Sequence, residues 1–224
     1  MTSPIKANFK TEILPIIIIV LSFIAGYYFS KHFPAQVATH WDINGKVNGY
    51  SSSFWAAWLL PLMILGMYIF FLFLPYLDPK KEQYLSFAPV YHKFKSLIIA
   101  FLFILYIFTG LNGIGYKVNI GFWSPIMIGL LFMIIGYLLK SVKMNWFLGI
   151  RTPWTMSSDY VWAKTHQASS PVLIAAGLVM ALSAFLPASY KMIAFILAMA
   201  LIIITLPIYS FILYKKEQKE KTPK

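Results

Sequence analysis

The chain has no cysteine and very little charge. The first absence excludes disulfides, thiolate metal ligands, Fe–S clusters and a cysteine nucleophile. The second is more informative. Only 12% of the 224 residues are charged and 59% are hydrophobic, whereas about a quarter of an average soluble domain is charged. A surface so poor in charge cannot be covered by water, so much of it must face lipid. Negative charge is scarcest, with 7 Asp and Glu against 19 Lys and Arg, for a net charge of +12. In a soluble protein that excess would suggest nucleic acid. In a chain with long apolar runs it reads first as a topology signal, and no direct nucleic-acid binding is expected.

Six runs are apolar all round and long enough to span a bilayer, at residues 13–29, 54–74, 96–116, 122–139, 171–186 and 191–214. Ser170–Pro171 and Ser124–Pro125 read as helix starts, an N-cap followed by a first-turn proline. Pro61 and Pro207 fall inside spans. The seven tryptophans sit at span ends or in loops, as in an interfacial aromatic belt. The first run follows a basic segment, but it is long and no small-x-small cleavage site follows, so it reads as a span rather than a signal peptide.

The basic residues settle an expected orientation. Lys6, Lys10, Lys80, Lys81, Lys93, Lys95, Lys140, Lys143, Arg151, Lys164, Lys215, Lys216, Lys219, Lys221 and Lys224 fall on one side of the six spans, and Lys31, Lys46, Lys117 and Lys191 on the other. The positive-inside rule then places both termini in the cytoplasm. The expected architecture is an all-α polytopic membrane protein with three parts. Residues 1–95 form a two-span module with an extracellular loop at 32–53 and a cytoplasmic interfacial segment at 75–95. Residues 96–214 form a four-span module with a cytoplasmic loop at 140–169, and 215–224 form a basic, disordered cytoplasmic tail. In the interfacial segment, Asp78–Pro79 marks a helix start, and Tyr84, Phe87, Tyr91 and Phe94 recur at helical spacing. It reads as an amphipathic helix on the membrane surface or, more plainly, as the lead-in to the third span.

Catalytic and metal chemistry find little footing. No Asp, Glu, Lys, Arg or His lies near the middle of any of these six runs, and Glu12 sits at the edge of the first. Such a group costs about 2.5–3.5 kcal/mol to insert, so its absence argues against ion-coupled transport. There is no HExxH or G-x-S-x-G pattern. The four histidines are dispersed, and His40 with Asp42 falls short of the three or four ligands zinc needs. No catalytic residue, metal or cofactor is expected.

Function is therefore expected in the two long loops. The outer loop carries Pro34, His40, Trp41, Gly45, Gly49 and Tyr50. In the inner loop, Gly149 permits a sharp turn, Arg151 brings five donors and Thr152–Pro153 is extended. Ser157 or Ser158 caps a short helix, with Asp159, Trp162, Ala163 and His166 along one face. This element reads either as an interfacial re-entry segment, with Arg151 on lipid phosphate or a helix C-terminus, or as a docking surface for a cytoplasmic partner.

The inner loop also resembles the signature of the SdpI family of bacterial immunity proteins, through Asn145, Trp146, Gly149, Ile150, Arg151, Thr152, Pro153, Trp154, Thr155, Ser157, Ser158, Trp162, Thr165 and His166. The outer loop and second span resemble the domain of unknown function that precedes this signature, with Asp78–Pro79–Lys80–Lys81 following. The resemblance implies a multi-pass protein of the bacterial cytoplasmic membrane that protects its cell from a secreted membrane-active toxin peptide. In the family's best-known member it extends to holding a transcriptional repressor at the membrane. The rival classes are a transporter or exporter of a small lipophilic substrate and a membrane enzyme acting on lipid-linked substrates.

The cysteine-free background makes the orientation directly testable. A single Lys46→Cys should react with a membrane-impermeant maleimide on intact cells, and a single Lys219→Cys only after permeabilisation. The reverse pattern would invert the topology.

Overall fold

Asn8 starts the first helix. Its side chain accepts the Thr11 amide at 3.1 Å while its own amide donates to the Thr11 hydroxyl at 3.1 Å, a reciprocal cap. Helix α1, Phe9–His32, then crosses without a break. The computed structural model describes residues 5–221. The chain continues through a hairpin of β1 (Gln36–Trp41) and β2 (Val47–Ser52), then α2 (Ser53–Leu77), α3 (Tyr84–Gly113) and α4 (Ile120–Leu139). A short α5 (Pro153–Ser157), α6 (Asp159–Leu182) and α7 (Ala188–Lys221) complete it. Among the described residues, six helices are long and apolar enough to cross a membrane. Their uncovered faces carry residues such as Ile16, Val20, Ile24, Ile203 and Ile204, which in water would be untenable.

The helices form two groups. α1, α2 and α3 pack together, α4 and α7 flank α6, and α3 meets α4 across the divide. The division expected after Lys95 falls inside α3. At the α4–α6 crossing the backbones nearly touch. A Cβ on Gly129 would lie 2.3 Å from the Gly177 carbonyl, and one on Gly177 would lie 2.5 Å from the Gly129 carbonyl. Small residues at the crossing replace the hydrophobic drive that lipid cannot supply.

Several sequence expectations are corrected. Pro171 lies well inside α6, which begins at Asp159 with Ser158 as its cap, so the inner loop ends near Ser158 rather than at 169. Likewise α4 begins at Ile120 under Asn119, and Pro125 is interior. Transmembrane helices tolerate such prolines because neighbouring groups satisfy the freed carbonyls. The all-α class itself holds, and the outer loop adds one two-stranded antiparallel hairpin. Tyr84, Phe87 and Tyr91 are buried among Phe71, Leu74, Met144 and Trp162 rather than laid on a membrane surface. Trp162 is thus a core residue, outside any interfacial belt. The tail is helical to Lys221, with Glu217 buried and paired with Lys221 at 2.6 Å; residues 222–224 of the expected tail lie outside the described residues.

The largest correction concerns charge. Because α3 starts at Tyr84, Lys95 belongs to the helix, and its side chain is 1% exposed. Its ammonium donates to both Glu12 oxygens, at 2.7 and 2.6 Å, and the Tyr68 hydroxyl donates to Glu12 at 2.9 Å. One carboxylate thereby joins α1, α2 and α3. Breaking such a buried pair strands a charge, at a cost of about 3–5 kcal/mol, whereas replacing both partners by apolar groups removes the penalty. Lys95→Met or Glu12→Gln should therefore lower the unfolding midpoint in detergent sharply, and Glu12→Leu with Lys95→Met should recover most of the loss.

Candidate functional site

The inner signature segment closes on itself through Asn145, which is fully buried. Its Oδ1 accepts the amides of Phe147 and Leu148 at 2.8 and 2.6 Å, and its Nδ2 donates to the carbonyls of Lys143 and Leu148 at 2.8 and 2.9 Å. An asparagine with all four bonds made is a rigid staple. Asp78, at the end of α2, fixes this turn from outside. Its carboxylate accepts the Trp146 amide at 2.8 Å, the Tyr84 hydroxyl at 2.9 Å and the Lys80 amide at 2.7 Å.

Gly149 then turns the chain at φ +125°, a conformation that disfavours any side chain. A Cβ there would also lie 2.4 Å from His166 Nε2 and 2.9 Å from the Trp162 ring. The closeness serves a bond, for the Ile150 amide donates to His166 Nε2 at 2.9 Å. His166 Nδ1 faces the Trp162 carbonyl at 2.8 Å, so the two partners fix the tautomer, with hydrogen on Nδ1. The imidazole stacks on Trp162 at 4.1 Å between centroids, and the indole N–H donates to the Val142 carbonyl at 2.8 Å. Thr152 and Thr155 cap α5 reciprocally behind Pro153, and the Thr152 hydroxyl reaches Ser210 of α7 at 3.0 Å. Trp154 packs on Phe211 of α7 with centroids 5.0 Å apart.

The expected inner residues therefore divide. Asn145, Trp162 and His166 are buried and hold the segment's shape, with Gly149 admitting the histidine. Arg151, Pro153, Ser157 and Asp159 are exposed, as is Trp146, whose carbonyl accepts from the Arg151 guanidinium. The expected face of α6 divides in the same way. The buried stripe of α6 runs through Val161, Trp162, Thr165, His166, Ser169 and Ser170, leaving Asp159 and Ala163 outside it. That Asp78 anchors the signature turn was not legible in the sequence, beyond its place in the Asp78–Pro79 pair.

On the opposite end, the outer loop forms a roof. Asp42 closes the hairpin by accepting the amides of Asn44 and Lys46 at 2.9 and 2.8 Å, and Gly45 sits at φ +77°. The Lys46 amide, above all, holds the Asp42 carboxyl below its ordinary range, so this turn is intact at neutral pH and loses that support as acid protonates it. The tip rests on α4, where a Cβ on Gly121 would lie 2.8 Å from the Gly45 Cα. Gly49 faces His40 across the strands, and His40 Nδ1 lies 2.5 Å from Asn48 Oδ1. Pro34 and Tyr50 are exposed. Beneath the hairpin is a cavity of about 420 Å³. Val37 and Trp41 line it from above, Trp55 and Leu59 from α2, Leu105 and Thr109 from α3, and Ser124 from α4. Its walls are mostly apolar, with a few hydroxyls, an imidazole and a carboxylate to orient a ligand.

Neither end assembles three metal-ligating side chains among the described residues. Six helices long and apolar enough to cross a membrane, joined by the stapled turn and the hairpin, define the class as a multi-pass membrane protein. Residues 141–210 match the model of the SdpI/YfhL protein family, and residues 17–65 match Domain of unknown function (DUF1648), in agreement with the resemblance read from the sequence. The chain is similar to Immunity protein SdpI of Bacillus subtilis (strain 168), at 27% identity over 207 residues, 92% of this chain and 97% of that one. No solved structure matches it.

Gly149→Ala tests the turn, since the φ value alone should cost about 1–3 kcal/mol. The variant should unfold earlier, and Trp162 should become accessible to a soluble fluorescence quencher. A variant with unchanged stability and quenching would show that the His166 stack does not depend on that glycine.

Proposed function

We propose that this protein is a non-enzymatic immunity protein of the bacterial cytoplasmic membrane. In this reading it captures a secreted, membrane-active toxin peptide at the outer face. The observation that carries the reading is a cavity of about 420 Å³ under the hairpin, in a chain similar to an immunity protein over 92% of its length. An amphipathic peptide arriving in the outer leaflet would insert an apolar side chain between Trp41, Trp55 and Leu59, and the hairpin would hold it away from further insertion. The 15 basic residues on the signature side support cytoplasmic termini. On that face, exposed Arg151, Trp146, Ser157 and Asp159 form a surface of stable shape for a cytoplasmic partner, and a transcriptional repressor fits the family resemblance.

Expression in a toxin-sensitive strain tests the proposal. The wild type should preserve survival and membrane potential under toxin. Ala56→Phe, which fills the cavity from α2, should abolish protection at unchanged abundance. Arg151→Ala should leave protection intact and weaken only retention of a repressor at the membrane. Survival no better than with empty vector would exclude immunity to the toxin used.

A further inference from the structure

A second and larger concavity lies at the opposite end of the bundle from the hairpin, between α1, α3 and α4. It has a volume of about 930 Å³. Its walls are apolar, and Leu14, Leu85, Ile134 and Tyr137 are left exposed by the packing. Its rim is cationic. Lys6, Lys10 and Lys93 line it, and Lys140 lies with its ammonium 4.3 Å from the Tyr137 ring centroid. No carboxylate is among the lining residues. The nearby Glu12 carboxylate is engaged inward by Lys95 at 2.6 Å. Among the described residues, none of the three rim lysines forms a salt bridge.

The order along the helices specifies the ligand. From the end of the bundle inward, α1 presents Lys10 and then Leu14, and α3 presents Leu85, Ala88 and Pro89 at its start, then Lys93, then Leu97 and Ala100. α4 approaches from the other direction with Ile134, then Tyr137, then Lys140. Each helix thus passes from cation to hydrocarbon within about one turn, or ~6 Å. A soluble anion would leave the apolar walls wet, and an uncharged lipid would leave the lysines uncompensated. A peptide strand would have to satisfy its backbone within the bilayer. Asn8 and Ser96 line the site beside the lysines, and so does His92, whose Nδ1 faces the Glu12 carboxylate at 3.7 Å.

We propose that this groove binds one anionic glycerophospholipid from the leaflet on the lysine-rich side. The phosphate sits among Lys6, Lys10 and Lys93, and an acyl chain lies along Leu14, Leu97 and Ile134. The site is distinct from the hairpin cavity and does not depend on the immunity reading.

The test uses the full chain in neutral detergent, with lipid binding read by native mass spectrometry and by thermal shift. Phosphatidylglycerol should bind at least about ten-fold more tightly than phosphatidylcholine. Lys6→Gln, Lys10→Gln and Lys93→Gln together should cut that affinity at least about five-fold. The same number of substitutions on α7, at Lys215, Lys216 and Lys219, should change it less than two-fold, as net charge alone would be at work. Leu14→Trp, which narrows the groove and leaves the charges in place, should also weaken binding. Both sets of lysines are exposed, so melting in lipid-free detergent should be unaltered. Equal affinity for the two lipids, an equal loss from the α7 substitutions, or one-for-one displacement of lipid by an acidic amphipathic peptide would overturn the proposal.

Discussion

The arrangement depends on a single buried carboxylate, that of Asp78. The two groups of helices meet along their length mainly where α3 touches α4, so something at their ends must hold them in register. Asp78 does so by accepting from the signature turn, from the start of α3 and from its own turn at once. A buried carboxylate with three donors is well satisfied, and the same group with any donor removed is costly. Around it the cluster of Ile5, Phe71, Tyr84, Tyr91, Met144 and Trp162 draws on both groups of helices. The signature segment therefore owes its shape partly to a residue more than 60 positions earlier in the chain.

Much of the scaffold was legible because lipid imposes a crude rule: a span must be apolar for about 20 residues. The boundaries were less legible. Hydropathy registers a charged residue as the end of a span, but Lys93 and Lys95 lie within α3, where one side chain reaches a groove rim and the other a partner on α1. Proline misled in the same way, since Pro125 and Pro171 look like helix starts and are interior. Periodicity could not tell a membrane-facing aromatic stripe from a core-facing one, because both repeat every 3.6 residues. The hairpin did leave a signal. Asp42, Asn44 and Gly45 between two alternating stretches are turn chemistry, with Gly45 at the positive φ.

The spans also proved less inert than their composition implies. Glu12, Lys95 and Tyr68 form an internally satisfied set, with both carboxylate oxygens occupied. That is the behaviour of a fastener joining three helices rather than of a relay, which needs a group with a free valence. Within the signature segment, the geometry separates residues that hold shape from those that present a surface. Asn145, Trp162 and His166 belong to the first kind, Arg151 and Asp159 to the second.

The hairpin tip adds a mechanical consequence. Gly45 rests backbone to backbone on Gly121 at one end of the molecule, and Asp78 ties the signature turn to α3 at the other. The two bodies thus meet at both ends of their shared seam, through a van der Waals contact at the hairpin and through hydrogen bonds at Asp78, and the hairpin end has the weaker hold.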